Sequence, residues 1–231
     1  MAFDIGLFWQ SLFSWPFAEG ALVTLALAIA SHAVGIAAGL GLALLARTHG
    51  RFAPAARGFV VFYLWLFRGA PVLLLLLFVW NALPQLLPVF RGDWFTPFLA
   101  AFLALSLNET AYQAEIARAA LLSVHDEQRA AAAALGLHRI QAFWLVILPQ
   151  ALRVALPPTA NEFITLTKTT SLASVISLQE LLATTTRASS ASFRYTEFYA
   201  VALVYYLAIV SALMVVQARL ERRLAVQGRQ T

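Results

Sequence analysis

The sequence predicts an all-α integral membrane protein of about five transmembrane helices, and three observations predict it. Of the 231 residues, 61% are hydrophobic and only 12% charged, against roughly 25% charged in a soluble domain; mean hydropathy is +0.77. Apolar runs long enough to cross ~30 Å of hydrocarbon alternate with short polar connections. The basic residues collect in connections that fall on one side of the resulting topology. No Gly/Ser-rich linker divides the chain, so a single membrane domain over residues 1–231 is expected. Cysteine is absent, which excludes disulfides and thiolate metal sites. The N-terminus lacks a basic n-region and carries Asp4 early, so no cleaved signal peptide is expected.

The elements follow in order. Phe3, Phe8, Trp9, Phe13, Trp15 and Phe17 predict an interfacial helix over 3–17. The first span is expected at about 21–46, with Gly35 and Gly39 as a small-xxx-small packing notch. The next apolar stretch, about 58–83, reads as one kinked span broken before Pro71. A third span is expected at about 95–118. A fourth runs from near Gln150 to about Thr170, kinked at Pro157 and Pro158. Residues 171–193, rich in Ser and Thr, suit a half-helix and connecting loop. The fifth span covers about 195–217, before a basic tail at 221–231.

Five spans put the two termini on opposite sides, and the charges orient them. Arg47, Arg51, Arg57, Arg118, Arg129, Arg139, Arg153, Arg219, Arg222, Arg223 and Arg229 lie on one side, eleven of the 16 basic residues. The positive-inside rule makes that side cytoplasmic, with the N-terminus outside. It also explains the pI near 10.1 without nucleic acid.

Between the third and fourth spans lies AAAALGLHRIQAFWLVILPQ. Its alanines favour helix, Gly136 offers a positive-φ turn, and Pro149 closes one helical run or opens the next. A short helix, a bend and a second helix at a membrane surface suit docking in a partner's groove. The segment resembles the EAA-type coupling loop of ABC-importer membrane subunits: Ala131, Ala132, Gly136, Val146, Leu148 and Pro149 stand at the pattern's positions. Ala130 stands where the pattern has glutamate, which leaves two readings: Glu127, just upstream, substitutes for it, or the loop works without that carboxylate. Arg68-Gly69-Ala70-Pro71, Ala111-Tyr112-Gln113-Ala114-Glu115-Ile116, Leu156-Pro157-Pro158 and Lys168-Thr169-Thr170-Ser171-Leu172-Ala173-Ser174-Val175-Ile176 are similar to polar amino-acid permeases of the histidine/glutamine type. Together the resemblance covers about residues 18–220.

What the resemblance implies is a type I ABC importer-like fold in a bacterial cytoplasmic (inner) membrane. It further implies pairing with a second permease subunit, in a homodimer or a heterodimer. An ATP-binding subunit would engage the coupling loop at about 125–149, and a substrate-binding protein would deliver a polar amino acid at the outer face.

The residues point to sites of their own. Ionisable groups at membrane depth line cavities or find partners, which singles out Arg68, Glu109, Glu162 and Lys168. Glu162, beside Asn161 in a proline-containing helix, either pairs internally with Lys168 or Arg68 or accepts the cation of a basic amino acid. Asn108 and Glu109 could serve the same cavity from the third span. The hydroxyls of Thr165, Thr167, Thr169, Thr170 and Ser171 are expected to bond their own helix backbone. His32, mid-span, reads as a hydrogen-bonded packing residue in preference to a proton or substrate group, and His49, His125 and His138 lack metal-ligand spacing. Lys168-Thr169 has no glycines ahead of it, so it forms no phosphate-binding loop. No catalytic set can be drawn and no cofactor is expected on this chain; ATP and magnesium would be used by the partner. The competing reading is a self-contained secondary amino-acid transporter using Glu109, Glu162 and Lys168 for proton coupling.

Overall fold

The computed structural model describes residues 3–48 and 50–228, with only the backbone at residue 129 and beyond 222. His49 and Arg229 lie outside the described residues. Nine helices are built among the described residues, and no strand.

Helix α1, Ile5–Leu12, begins at Asp4, whose side chain accepts the Leu7 amide. The aromatic N-terminus is not one interfacial helix: α1 stops at Leu12, and Trp15 and Phe17 belong to α2, Trp15–Leu45. Pro16 explains the break, since a residue with fixed φ and no N–H suits the first helical turn. Helix α3, Ala53–Gly69, starts ahead of the expected Gly58. It breaks at the expected place: Ala70 is extended before Pro71 (φ −78°, ψ 135°), as a residue preceding proline prefers. Helix α4, Val72–Leu86, leaves α3 at 100°, so the pair is a broken element rather than a gently kinked span. Arg91, in the 3-10 turn Pro88–Arg91, closes the end of α4 by donating to the Pro84 carbonyl at 2.7 Å.

Helix α5, Pro97–Ser123, is capped by Thr96 and runs past the expected end at 118. Helix α6, Asp126–Ala134, precedes the glycine turn. Helix α7, Arg139–Ile176, is 38 residues long. It does not begin near Gln150: a π-helical segment, Phe143–Ile147, carries the helix into Leu148–Thr169 with Pro149 in that stretch's first turn. Pro157 and Pro158 lie inside that stretch without ending it. A 3-10 turn, Thr170–Ile176, leads to α8, Leu181–Ser192, which supplies the expected half-helix. Helix α9, Tyr195–Gly228, remains helical through most of the expected tail.

Three of these helices, α2, α7 and α9, are long and apolar enough to cross a membrane, and the bent pair α3–α4 could make a fourth. Helix α5 is not among them, because Asn108, Glu109, Thr110 and Gln113 interrupt its apolar sequence. It is instead the most enclosed helix: Ala100, Ala101, Ala104, Leu105 and Ala111 are each 1% exposed or less. Helices α2, α3, α4 and α7 pack around it. Gly35 and Gly39 let α2 approach, since a Cβ on Gly39 would stand 2.7 Å from the Ala114 nitrogen. The glycine pair therefore serves packing within this chain.

Candidate functional site

Two regions carry the sequence-derived candidates. The first lies where α2, α5 and α7 meet. Gly35 leaves room for Glu109, whose Cγ would lie 2.3 Å from a Cβ at that glycine. Glu109 is 1% exposed; its Oε1 lies 2.8 Å from His32 Nδ1 and accepts a hydrogen bond from Gln113 Nε2 at 2.8 Å. The Thr159 hydroxyl donates to Gln113 Oε1 at 3.1 Å, extending the chain of contacts to α7. The His32 ring packs 4.9 Å from Phe163. Asn108 is buried and donates to the Phe67 carbonyl at 2.6 Å, while Tyr63 donates to Leu107 at 2.9 Å. These two bonds tie α3 to α5.

Glu162 is half-buried on α7 and forms no ion pair with Lys168 or Arg68 among the described residues, so of the two readings left open by the sequence the internal pairing is not made. The charges that act on it are Glu109 and His32. Arg68 instead lies over the Tyr112 ring, 5.4 Å from its centroid. Asn161, Thr165 and Lys168 are all exposed, and their i, i+4, i+7 spacing makes one polar stripe on α7. The hydroxyls bond locally: Thr165 to the Asn161 carbonyl, Thr167 to Phe163, Thr169 to Thr165, Thr170 to Thr167 and Ser171 to Lys168. A polar stripe with a lysine is costly against hydrocarbon, so it suits a wet pathway or a polar protein partner.

The second region is the glycine turn. The Gly136 amide bonds the Ala133 carbonyl at 3.0 Å, and the Leu137 amide bonds Ala132 at 3.1 Å. That is the paired bonding of a Schellman cap, with Gly136 at φ +78°. His138 and Gln141 then form a reciprocal capping box at the start of α7. Ala130 and Ala131 are exposed, whereas Ala132 is buried. Glu127, in the first turn of α6, stands three and four residues before Ala130 and Ala131 and so shares their face. Val146 lies in the π segment, and its carbonyl accepts from Gln150, which also donates to Gln128 on α6 at 3.3 Å. Leu148 and Pro149 continue α7, so they orient the helix behind the turn. Leu135, Ile140 and Trp144 are 81%, 67% and 61% exposed. Sequence reading did not single out this apolar trio, although its adjacency to Gly136 was visible.

An enclosed polar helix, a polar stripe on a helix long and apolar enough to cross a membrane, and an exposed apolar turn together suit the membrane-spanning subunit of a transporter. Comparison with known proteins makes the class specific. Residues 35–226 match the family described as binding-protein-dependent transport system inner membrane component, and the chain belongs to that family. It is 37% identical to the glutamine transport system permease protein GlnP of Escherichia coli strain K12 over 227 residues, covering 98% of this chain and all of that one. It is 37% identical to the arginine transport system permease protein ArgU of Corynebacterium glutamicum over 221 residues, 91% of this chain and 69% of that one. The fold matches a crystal structure of an amino acid ABC transporter with histidines at a TM-score of 0.83 and 30% identity, covering 96% and 100% of the two chains. The chain is thus an amino-acid ABC transporter permease subunit, with the type I importer fold expected from its sequence. The secondary-transporter reading is set aside.

Proposed function

We propose that this chain is the membrane half of an ATP-driven importer for polar amino acids. The observation that supports it most is the Gly136 turn, which presents Ala130, Ala131, Leu135, Ile140 and Trp144 as an exposed surface beside a rigidly capped helix start. An ATP-binding subunit seats that surface, and hydrolysis with magnesium takes place there, this chain binding neither. Glu127 shares the exposed face and substitutes for the glutamate that Ala130 replaces. Closure of the nucleotide-binding pair draws two such turns together and reorients the spans, which is alternating access driven from the loop. The turn faces the cytoplasm with the C-terminus, and the N-terminus faces outward, where a substrate-binding protein delivers the amino acid.

Asn161, Glu162 and Lys168 line the pathway next to a second permease subunit, with Asn108 and Glu109 bracing them from behind. A carboxylate and an ammonium on one helix suit the two charged ends of an amino acid, and Glu162 favours a cationic side chain. Relatives named for glutamine and for arginine agree with that range.

The test is ATPase activity and uptake in proteoliposomes holding the chain, its ATP-binding subunit and its binding protein, across a panel of amino acids. Stimulation by arginine, lysine or histidine supports the Glu162 role, and stimulation by neutral amino acids alone removes it. Uptake driven by a proton gradient without ATP would overturn the importer reading.

A further inference from the structure

A cavity of about 760 Å³ opens at the end of the bundle that carries the N-terminus, a volume typical of small-molecule sites. Its walls come from α1, α8, the first turns of α2 and α9 and the turns between them. It is therefore separate from the polar groups of α5 and α7. Two opposite charges face it, Glu19 and Arg187. Both are exposed, and neither makes an ion pair or a hydrogen bond among the described residues. Opposite charges that share a cavity without meeting leave room for a ligand between them. Ser11 also lines the cavity and is 7% exposed. Its hydroxyl has no hydrogen-bond partner among the described residues, and the same holds for the hydroxyl of Thr184 opposite. A buried hydroxyl is costly to leave unbonded.

Aromatic residues place this cavity at a membrane interface. Leu7, Gln10 and Ser11 turn one face of α1 to it, at i, i+3 and i+4. The other face of α1 carries exposed Ile5 and Trp9, with Trp9 stacked on exposed Phe13 at 6.0 Å. Tyr195 and Tyr199, also exposed and stacked, lie within a turn of cavity-lining Phe198. Aromatic belts of this kind sit among lipid headgroups, and only a helix diameter of ~10 Å separates the two faces of α1. The inner wall is apolar: Phe17 and Phe198 stack with centroids 6.0 Å apart, and Leu7 packs beside them.

We propose that this cavity binds a zwitterionic phospholipid headgroup of the phosphatidylethanolamine class, with its ammonium on Glu19 and its phosphate on Arg187. A guanidinium offers a phosphate two parallel N–H donors, and an ammonium donates to a carboxylate in a charge-assisted bond. The Ser11 and Thr184 hydroxyls donate to remaining phosphate or glycerol oxygens. The Phe17–Phe198 wall takes the glycerol and the first methylenes of the acyl chains. An anionic lipid satisfies Arg187 but sets its own charge against Glu19. A free amino acid brings both charges but nothing for the apolar wall. The bound lipid joins α1 to α8. None of this rests on the importer reading, since placement in a membrane is enough.

The test is native mass spectrometry of the detergent-purified complex with its ATP-binding subunit, titrated separately with phosphatidylethanolamine and phosphatidylglycerol. The unaltered complex is expected to retain phosphatidylethanolamine in preference, one molecule per copy of this chain. Glu19→Gln should weaken that lipid by about tenfold or more, as for loss of a charge-assisted bond, and leave phosphatidylglycerol unchanged or tighter. Arg187→Gln should weaken both. Ala191→Trp narrows the cavity from its lining without altering either charge, and should displace phosphatidylethanolamine as well. An unchanged thermal midpoint of the lipid-free complex checks that each variant folds.

Equal retention of the two lipids, unmoved by any variant, overturns the proposal. So does a Glu19→Gln complex that loses both lipids alike. Displacement of phosphatidylethanolamine by free glutamine or arginine, dependent on Glu19 and Arg187, gives the cavity to an amino acid and overturns it too. Unchanged lipid retention with weakened capture of the substrate-binding protein gives it to that protein, with the same consequence.

Discussion

Helices α5 and α9 are both long enough to span a bilayer, yet they solve opposite problems. Helix α9 carries an apolar stretch between Glu197 and Arg219, and only 11% of its best membrane window is buried inside the protein. Helix α5 carries Asn108, Glu109, Thr110 and Gln113, all of them buried. In water the apolar helix would be inside and the polar one outside. In lipid the hydrocarbon solvates α9, and the other helices solvate α5. Hydropathy in this chain therefore measures contact with lipid, and the most enclosed helix is the one that hydropathy passes over.

The sharpest way to break the arrangement is to part α2 from α5. A side chain at Gly39 meets the backbone of Ala114 and Gln113 at 2.7 and 2.8 Å, and backbone cannot turn aside as a side chain can. Gly39→Ala should cost about 1–3 kcal/mol, and Gly39→Leu should abolish assembly of the complex. The measurement is the yield and thermal midpoint of detergent-purified complex. A Gly39→Leu protein that assembles normally would show that α5 does not need its α2 cover.

The glycine turn is next. Gly136→Ala forces a Cβ into the left-handed region at φ +78°, a cost of about 1–2 kcal/mol, while no neighbouring atom lies within reach of that Cβ. The strain is local to the turn. The thermal midpoint of the spans should hardly move, while ATP-dependent uptake falls relative to ATPase activity. Gly136→Arg should uncouple the two more fully. Equal loss of midpoint and uptake would make the turn a folding element rather than a coupling one.

The sequence is legible where local chemistry decides the backbone. The break at Ala70–Pro71, the turn at Gly136 and the hydroxyls that bond their own helix were all expected, and each follows from one residue's conformational or hydrogen-bonding limits. The expectations that failed depended on distant partners. Pro149 was read as a helix boundary, but the π segment ahead of it carries the helix onward from Arg139. Of the two readings left open for Glu162, pairing with Lys168 or Arg68 is not made among the described residues, and Arg68 lies over Tyr112 on α5. The hydrogen bond expected of His32 is made, but to Glu109, a partner the sequence did not name. No spacing rule joins residues 32 and 109; the signal that could have done so is Gly35, one turn from His32, which clears the space that Glu109 occupies.

Smaller effects sharpen the comparison at its margins. Tyr63→Phe removes the hydroxyl that bonds the Leu107 carbonyl at 2.9 Å. Interhelical hydrogen bonds in membranes average about 0.6 kcal/mol, so a shift of that size in the unfolding free energy is expected. A loss several times larger would mean that α3 is held to α5 chiefly through this bond.

The smallest effect is expected on α9. Leu207 is 56% exposed, and lipid tails are as apolar as leucine, so truncating it exchanges one apolar contact for another. Leu207→Ala should change stability by less than about 0.5 kcal/mol, measured as the thermal midpoint of the complex in lipid nanodiscs. On a buried α5 leucine the same truncation leaves a cavity, at a cost of about 2–5 kcal/mol; Leu105 is 0% exposed. If Leu207→Ala were to cost as much as Leu105→Ala, then lipid could not be what covers that face. A second subunit would have to bury it, and α9 would belong with α5 among the helices that protein solvates.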